Sequence, residues 1–193
     1  MYLKTIDKDE IAKLPLFSYQ GDVVVVDSYE RTLHVLPYLL RENVLGFDTE
    51  TRPSFQKGHL NKVALLQLAA RNKVFLFRLQ KINTLEPLIP ILCNPKIIKT
   101  GVAIHDDTKM LKRMKNFVPA GFVDLQNFVK SFGIEEAGLQ KLAAIVLGVR
   151  ISKGQQLSNW EADFFTEAQI RYAATDAWVC YEIFNKILNP PCL

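Results

Sequence analysis

Three stretches decide the fold: Val44-Leu-Gly-Phe-Asp-Thr-Glu50, Lys62-Val-Ala-Leu-Leu-Gln-Leu-Ala-Ala70 and Lys73-Val-Phe-Leu-Phe-Arg78. Each is a short apolar run bounded by polar residues, the pattern of a strand. Only Arg71-Asn72 separates the second from the third, so these two are predicted to form an antiparallel hairpin. The first strand turns acidic at its end. Upstream, Asp22-Val-Val-Val-Val-Asp27 predicts a further buried strand, preceded by a short helix over Asp7–Leu14 that Pro15 ends. Asp27 or Ser28 caps a helix to about Arg41 with Leu33, Leu36, Leu39 and Leu40 facing inward. Downstream the pattern predicts a helix from Asn83 or Thr84 to Cys93, a strand over Lys96–Thr100 and a helix from about Asp106 to Lys115. A brief strand over Phe122–Asp124, a helix over Leu139–Leu147 stopped by Gly148, and a long helix from Glu167 to about Leu188 capped by Thr166 complete the chain. Strands that come early and then alternate with helices imply an α/β fold, a mixed sheet with helices on both faces. Function is then expected at strand ends and helix starts.

The 193 residues, 49% hydrophobic and 23% charged, suffice for a single domain with its own core. They exclude a disordered tail, a collagen-like rod and a disulfide-framed mini-protein. Cys93, Cys180 and Cys192 are scattered, with no C-x-x-C or Cys/His cluster, so neither a zinc site nor a disulfide framework is indicated. The charged N-terminus lacks a signal-peptide core and no apolar run is long enough to cross a bilayer, which predicts a soluble, cytoplasmic protein with no membrane partner. A net charge of +4 permits a nucleic-acid partner without demanding one.

The acids carry the chemistry. Residues i and i+2 of a strand share a face, so Asp48 and Glu50 aim two carboxylates at one place. Such a pair repels itself unless a proton or a cation lies between, and a hard divalent ion such as Mg²⁺ or Mn²⁺ suits oxygen ligands. Gly101-Val-Ala-Ile-His-Asp-Asp107 places two acids at a helix start, where one suffices as a cap. In Tyr172-Ala-Ala-Thr-Asp176, positions i and i+4 put Tyr172 and Asp176 on one helical face among small residues. A mid-helix Asp in such company needs a partner, because burying it alone costs several kcal/mol, of order ~5.

Phe47-Asp-Thr-Glu50, Gly101–Asp107 and Tyr172–Asp176 resemble, in order, the three motifs of the DEDD exonuclease superfamily in its tyrosine-bearing (DEDDy) branch. Leu157-Ser-Asn-Trp-Glu161 and Pro53-Ser-Phe-Gln-Lys-Gly58 are similar to segments of the Werner-syndrome-type 3′–5′ exonuclease domain. The resemblance runs from about Asp27 to Leu188, which divides a single domain, 1–193, into an N-terminal extension, 1–26, and a catalytic core, 27–188. It implies a ribonuclease-H-like three-layer fold with a five-stranded mixed sheet whose second strand is antiparallel, as the hairpin already suggests.

The resemblance further implies that Asp48, Glu50, Asp107 and Asp176 are the metal-ligating acids. Asp107 falls in register with the motif; Asp106 departs from it and is expected as the helix cap. Two divalent cations, Mg²⁺ or Mn²⁺, would be bridged by Asp48, with Glu50 and Asp176 on one ion and Asp107 on the other, while Tyr172 orients the attacking water. The implied reaction removes nucleoside 5′-monophosphates from a 3′ end. Thr49, Thr51, Phe55, Lys57, His105, Lys109 and Lys153 are candidate substrate contacts, and His59, Lys112 and Arg113 further phosphate partners, whereas Trp160 and Trp178 are expected as core anchors. DNA is the expected substrate, since the chain ends soon after the third motif, without the further helical domains of the ribonuclease D type that trims RNA. A non-catalytic binding module on the same fold would have lost an acid, and an aspartyl phosphatase would want D-x-D. Setting the four acids aside leaves 24 basic against 16 acidic residues, an excess suited to a polyanion.

Overall fold

The hairpin around Arg71-Asn72 lies inside the main sheet, with neither of its strands at an edge. In a computed structural model, which describes residues 2–53 and 61–189, the chain runs through α1 (Lys8–Lys13), β1 (Leu16–Phe17), β2 (Asp22–Val26), α2 (Tyr29–Leu39), β3 (Val44–Thr51), β4 (Val63–Ala69) and β5 (Lys73–Arg78). It continues through α3 (Leu79–Ile82), α4 (Ile89–Leu92), β6 (Ile98–Gly101), α5 (Ile104–Met114), β7 (Phe122–Asp124), α6 (Leu125–Phe128), α7 (Leu139–Leu142), β8 (Arg150–Ile151) and α8 (Glu167–Leu188). The main sheet has the order β2-β5-β4-β3-β6-β7. Strand β4 is antiparallel to both β3 and β5, and every other pairing is parallel.

The sheet thus has six strands rather than the expected five. Strands β3 to β7 are the five-stranded mixed sheet with its antiparallel second strand, and β2 adds an edge. Its position corrects the reading of Asp22–Asp27 as buried: with a neighbour on one side only, β2 is half-buried along most of its length. By contrast β4 is buried at every residue. A separate two-stranded pairing, β1 parallel to β8, ties Leu16-Phe17 to Arg150-Ile151, and Arg150 Nε donates to the Leu14 carbonyl at 3.0 Å.

Helices cover both faces. On one, Leu45, Phe47, Leu66, Leu68, Phe75 and Phe77 pack against Leu39 of α2, Ile91 and Leu92 of α4 and Leu111 of α5. On the other, Leu65, Ala69, Val74 and Leu76 meet Ala173, Ala174 and Ala177 of α8. Three local expectations change. Leu33 and Leu40 are exposed, because α2 turns Thr32 and Leu39 inward instead. The helix expected over 83–93 is broken into pieces: Asn83 ends α3 in the left-handed region (φ 60°), and Pro87 and Pro90 remove backbone donors beyond it. Helix α5 begins at Ile104, so Asp106 is not its cap; Ala103 is, with φ 57° and no capping side chain. Among the described residues no helix is long and apolar enough to cross a membrane.

Helix α8 has the predicted bounds, and its start is a capping box in which Thr166 and Gln169 satisfy each other's backbone donors. It lies hard against β3. A Cβ built on Gly46 would sit 1.9 Å from the Ala177 carbonyl oxygen and 2.9 Å from the Tyr181 nitrogen, both backbone atoms that cannot swing away. Gly46 shares its face of β3 with Asp48 and Glu50. Gly46→Ala should therefore push α8 off the strand and lower unfolding stability by about 1–3 kcal/mol. Urea denaturation measures it, and an unchanged midpoint with an unchanged slope would show that the approach is not tight.

Candidate active site

Strand β3 carries Asp48 and Glu50 on the face covered by α8, and α8 carries Asp176 one turn beyond Tyr172. One carboxylate oxygen each from Asp48, Glu50 and Asp176 lies within 4.8 Å of the others. Two separated sequence motifs are thus brought to one point by the close contact at Gly46. Asp107 is held beside this trio rather than within it. Thr49 faces the opposite side of β3, and its hydroxyl donates to Asp107 Oδ1 at 2.5 Å. The central residue of Asp48-Thr49-Glu50 therefore tethers the acid of the second motif.

Burial and mutual repulsion dominate the electrostatics. Asp48 is pushed well above the ordinary carboxylate range, first by burial and then by the charges of Asp176, Glu50 and Asp107. Glu50 is raised to about 8 by burial, Asp176 and Asp107. Asp176 rises to about 7 through burial, against a lowering contribution from Tyr172. Asp107 rises to about 6, again chiefly by burial, although the Thr49 hydroxyl pulls it down. None of the ion pairs among the described residues includes any of these four acids. A set of half-buried to buried carboxylates with no basic partner among the described residues and only oxygen donors fits a hard divalent cation of the Mg²⁺ or Mn²⁺ class.

Tyr172 stands over this set with its phenol pushed further up, by burial first and by Asp176 second, so it stays protonated at any physiological pH. Its ring packs against Trp160, centroids 6.1 Å apart. Trp160 is fully buried, the core anchor it was expected to be, and its loop is clamped from β5: Arg78 donates to the carbonyls of Ala162 and Asp163 and lies over the Phe165 ring. Trp178 stacks on Phe17 at 5.1 Å.

Asp48, Glu50, Asp176 and Tyr172 open into a cleft of about 630 Å³. Thr49 and Lys153 line it with them. Thr51 is half-buried at the end of β3, just past a break in register between Glu50 and Thr51. His105 borders a different, open depression with Phe122 and Asp124, and Lys109 is exposed on α5, as are Lys112 and Arg113. Phe55, Lys57 and His59 lie outside the described residues. Lys8 and Gln140 line the cleft as well, unanticipated from sequence. No local signal marks Lys8: α1 reaches the cleft through the β1–β8 pairing. Gln140 is fixed by its side-chain bond to the Ile151 carbonyl at 2.9 Å.

Comparison with known proteins agrees with this geometry. The sequence model of the family described as 3′–5′ exonuclease matches residues 23–190. The bifunctional 3′–5′ exonuclease/ATP-dependent helicase WRN of Mus musculus is 31% identical over 91% of the chain and 13% of its own length. Ribonuclease D of Gluconacetobacter diazotrophicus is 29% identical over 87% of the chain and 43% of its own length. The chain thus spans less than half of each of these relatives. Among solved structures, the Nibbler EXO domain of Aedes aegypti superposes with a TM-score of 0.78 at 26% identity, covering 89% of this chain and 90% of that one.

The acid cluster should be visible in stability. A carboxylate whose folded pKa is raised destabilises the fold once pH passes its unfolded value near ~4, and the cost grows until the folded pKa is reached. With Glu50 near 8 and Asp176 near 7, the metal-free protein should lose melting temperature between pH 5 and pH 8. Mn²⁺ should restore it at pH 8 far more than at pH 5, and Asp176→Asn should flatten the metal-free profile. A metal-free melting temperature that rises over this window would contradict the assignment.

Proposed function

We propose, from the premise that this chain belongs to the 3′–5′ exonuclease family, that it shortens DNA from a 3′ end and releases nucleoside 5′-monophosphates with two bound divalent cations. The observation that carries the reading is the meeting of Asp48, Glu50 and Asp176, half-buried to buried, unpaired with any base among the described residues, and open with Tyr172 to one cleft. Asp48, Glu50 and Asp176 would hold one cation, and Asp48 with the Thr49-tethered Asp107 the other. Such ions stabilise charge on the attacking and leaving oxygens of a phosphodiester.

The remaining work falls to the protein. The surroundings hold all four carboxylates above the ordinary carboxylate range, so a cation binds here in exchange for protons. A phenol ordinarily ionises at about pH 10, so the role of Tyr172 is to orient rather than to deprotonate: it donates or accepts a hydrogen bond that aligns the attacking water against the scissile phosphate. Trp160 fixes the plane of that phenol. Lys8 and Lys153 line the cleft and are placed to meet phosphates. The basic excess left once the four acids are set aside supplies attraction for the strand.

DNA is favoured by the segments resembling the Werner-type domain and by the match to the WRN protein. RNA is the second reading, favoured by the match to a protein named ribonuclease D. End-labelled single-stranded DNA, recessed duplex DNA and matched RNA, each with Mg²⁺ or Mn²⁺, separate the two. The expected result is a ladder shortening from the 3′ end of DNA, abolished in Asp48→Ala and slowed about 100-fold in kcat by Tyr172→Phe. Shortening of RNA alone would reverse the substrate assignment, and no shortening of any strand with either metal would sink the enzymatic reading.

A further inference from the structure

Strand β4 reads Val63-Ala-Leu-Leu-Gln-Leu-Ala69, and every residue of it is buried. Within that apolar run stands one polar side chain, Gln67, with no exposure at all. Among the described residues, neither its Nε2 nor its Oε1 has a hydrogen-bond partner. A primary amide left in this state at the centre of a sheet is disfavoured against the Leu or Met that would fill the same volume. Packing therefore does not account for it.

Register shows what it faces. Gln67 lies directly opposite Asp48 in the antiparallel β3–β4 ladder, with Leu76 on its other side. Directly opposed residues point to the same face of a sheet, their Cβ atoms about 4.5–5.5 Å apart. Here that face is the one α8 covers, where Asp48, Glu50 and Asp176 meet. Among the described residues no side chain donates a hydrogen bond to the Asp48 carboxylate, and only the nearby Thr49 backbone N–H acts to lower its pKa. An amide has two N–H donors and no charge, so it can support a carboxylate without neutralising the negative charge that a cation requires.

We infer that Gln67 is a positioning residue for Asp48, its Nε2–H₂ donating to the Asp48 carboxylate when that group is ionised at a bound cation and fixing how the carboxylate is presented. This rests on the reading of Asp48 as a cation ligand. It makes Gln67 an outer support of the site, a role for which a second hydrogen-bonding partner commonly matters as much as 10–100-fold in metal affinity.

The test is Mn²⁺ binding by calorimetry at pH 7.5 on the metal-free chain, wild type against Gln67→Met, with thermal melts of both. The variant is expected to melt no lower than wild type without metal, yet to bind Mn²⁺ about 10–100-fold more weakly. Equal Mn²⁺ affinity in the two proteins overturns the inference, since a purely structural side chain would leave binding unmoved. If Gln67→Met fails to fold, the side-chain amide resonance of Gln67 in ¹⁵N-labelled wild type decides. A shift on Mg²⁺ addition supports the role, and no shift while the Asp48 backbone resonance moves refutes it. Both readouts are independent of nucleic acid. A protein that binds Mn²⁺ through Gln67-supported Asp48 and yet cuts nothing would refute the exonuclease reading alone.

Discussion

Everything at the site depends on how closely α8 lies on β3. The motif acids sit on two elements distant in sequence, and their carboxylates converge because Gly46 lets the Ala177 carbonyl come within 1.9 Å of where a Cβ would be. The buried alanines Ala173, Ala174 and Ala177 extend that contact along the helix. Small residues in this seam are the condition for Asp176 to reach Asp48 and Glu50. The capping box at Thr166 then sets where along the strand the helix begins, and so which of its turns meets the acids.

That packing is opposed by the charges it gathers. An exposed acid elsewhere in the same chain behaves in the ordinary way: Asp163, fully solvated and 2.6 Å from Lys81, is held below the usual carboxylate range. Asp48, Glu50, Asp107 and Asp176 all move the other way, for lack of both water and a basic partner. The fold thus carries a local electrostatic cost that a divalent cation would remove. Stability and function pull apart at this one point, as they do where a site is built to bind rather than to pack. The hydroxyl of Thr49 and the amide of Gln67 supply neutral donors around the acids, which support the carboxylates without cancelling their charge.

Much of this is legible in the sequence because the signals are local. The Arg71-Asn72 turn between two apolar runs defines the antiparallel hairpin, Thr166 marks the start of α8, and the i,i+2 spacing of Asp48 and Glu50 puts them on one face. The illegible parts depend on contacts across long separations. The pairing of Leu16-Phe17 with Arg150-Ile151 involves two residues on each side, too few for any pattern to declare, and it is what brings Lys8 to the cleft. The interrupted segment after β5 turns on the left-handed Asn83 and two prolines, inside a run whose apolar spacing looks continuous. Gln67 is hidden by its surroundings: within Leu-Leu-Gln-Leu it looks like one imperfect strand residue until register places it beside Asp48.

The central claim is that Asp48, Glu50 and Asp176 form a cation site assembled by the β3–α8 contact. A crystal of this chain grown with Mn²⁺ and measured at the manganese absorption edge tests it most directly. An anomalous peak within coordination distance of all three carboxylates is the predicted result. Strong manganese density elsewhere, with none among these three acids, would contradict it.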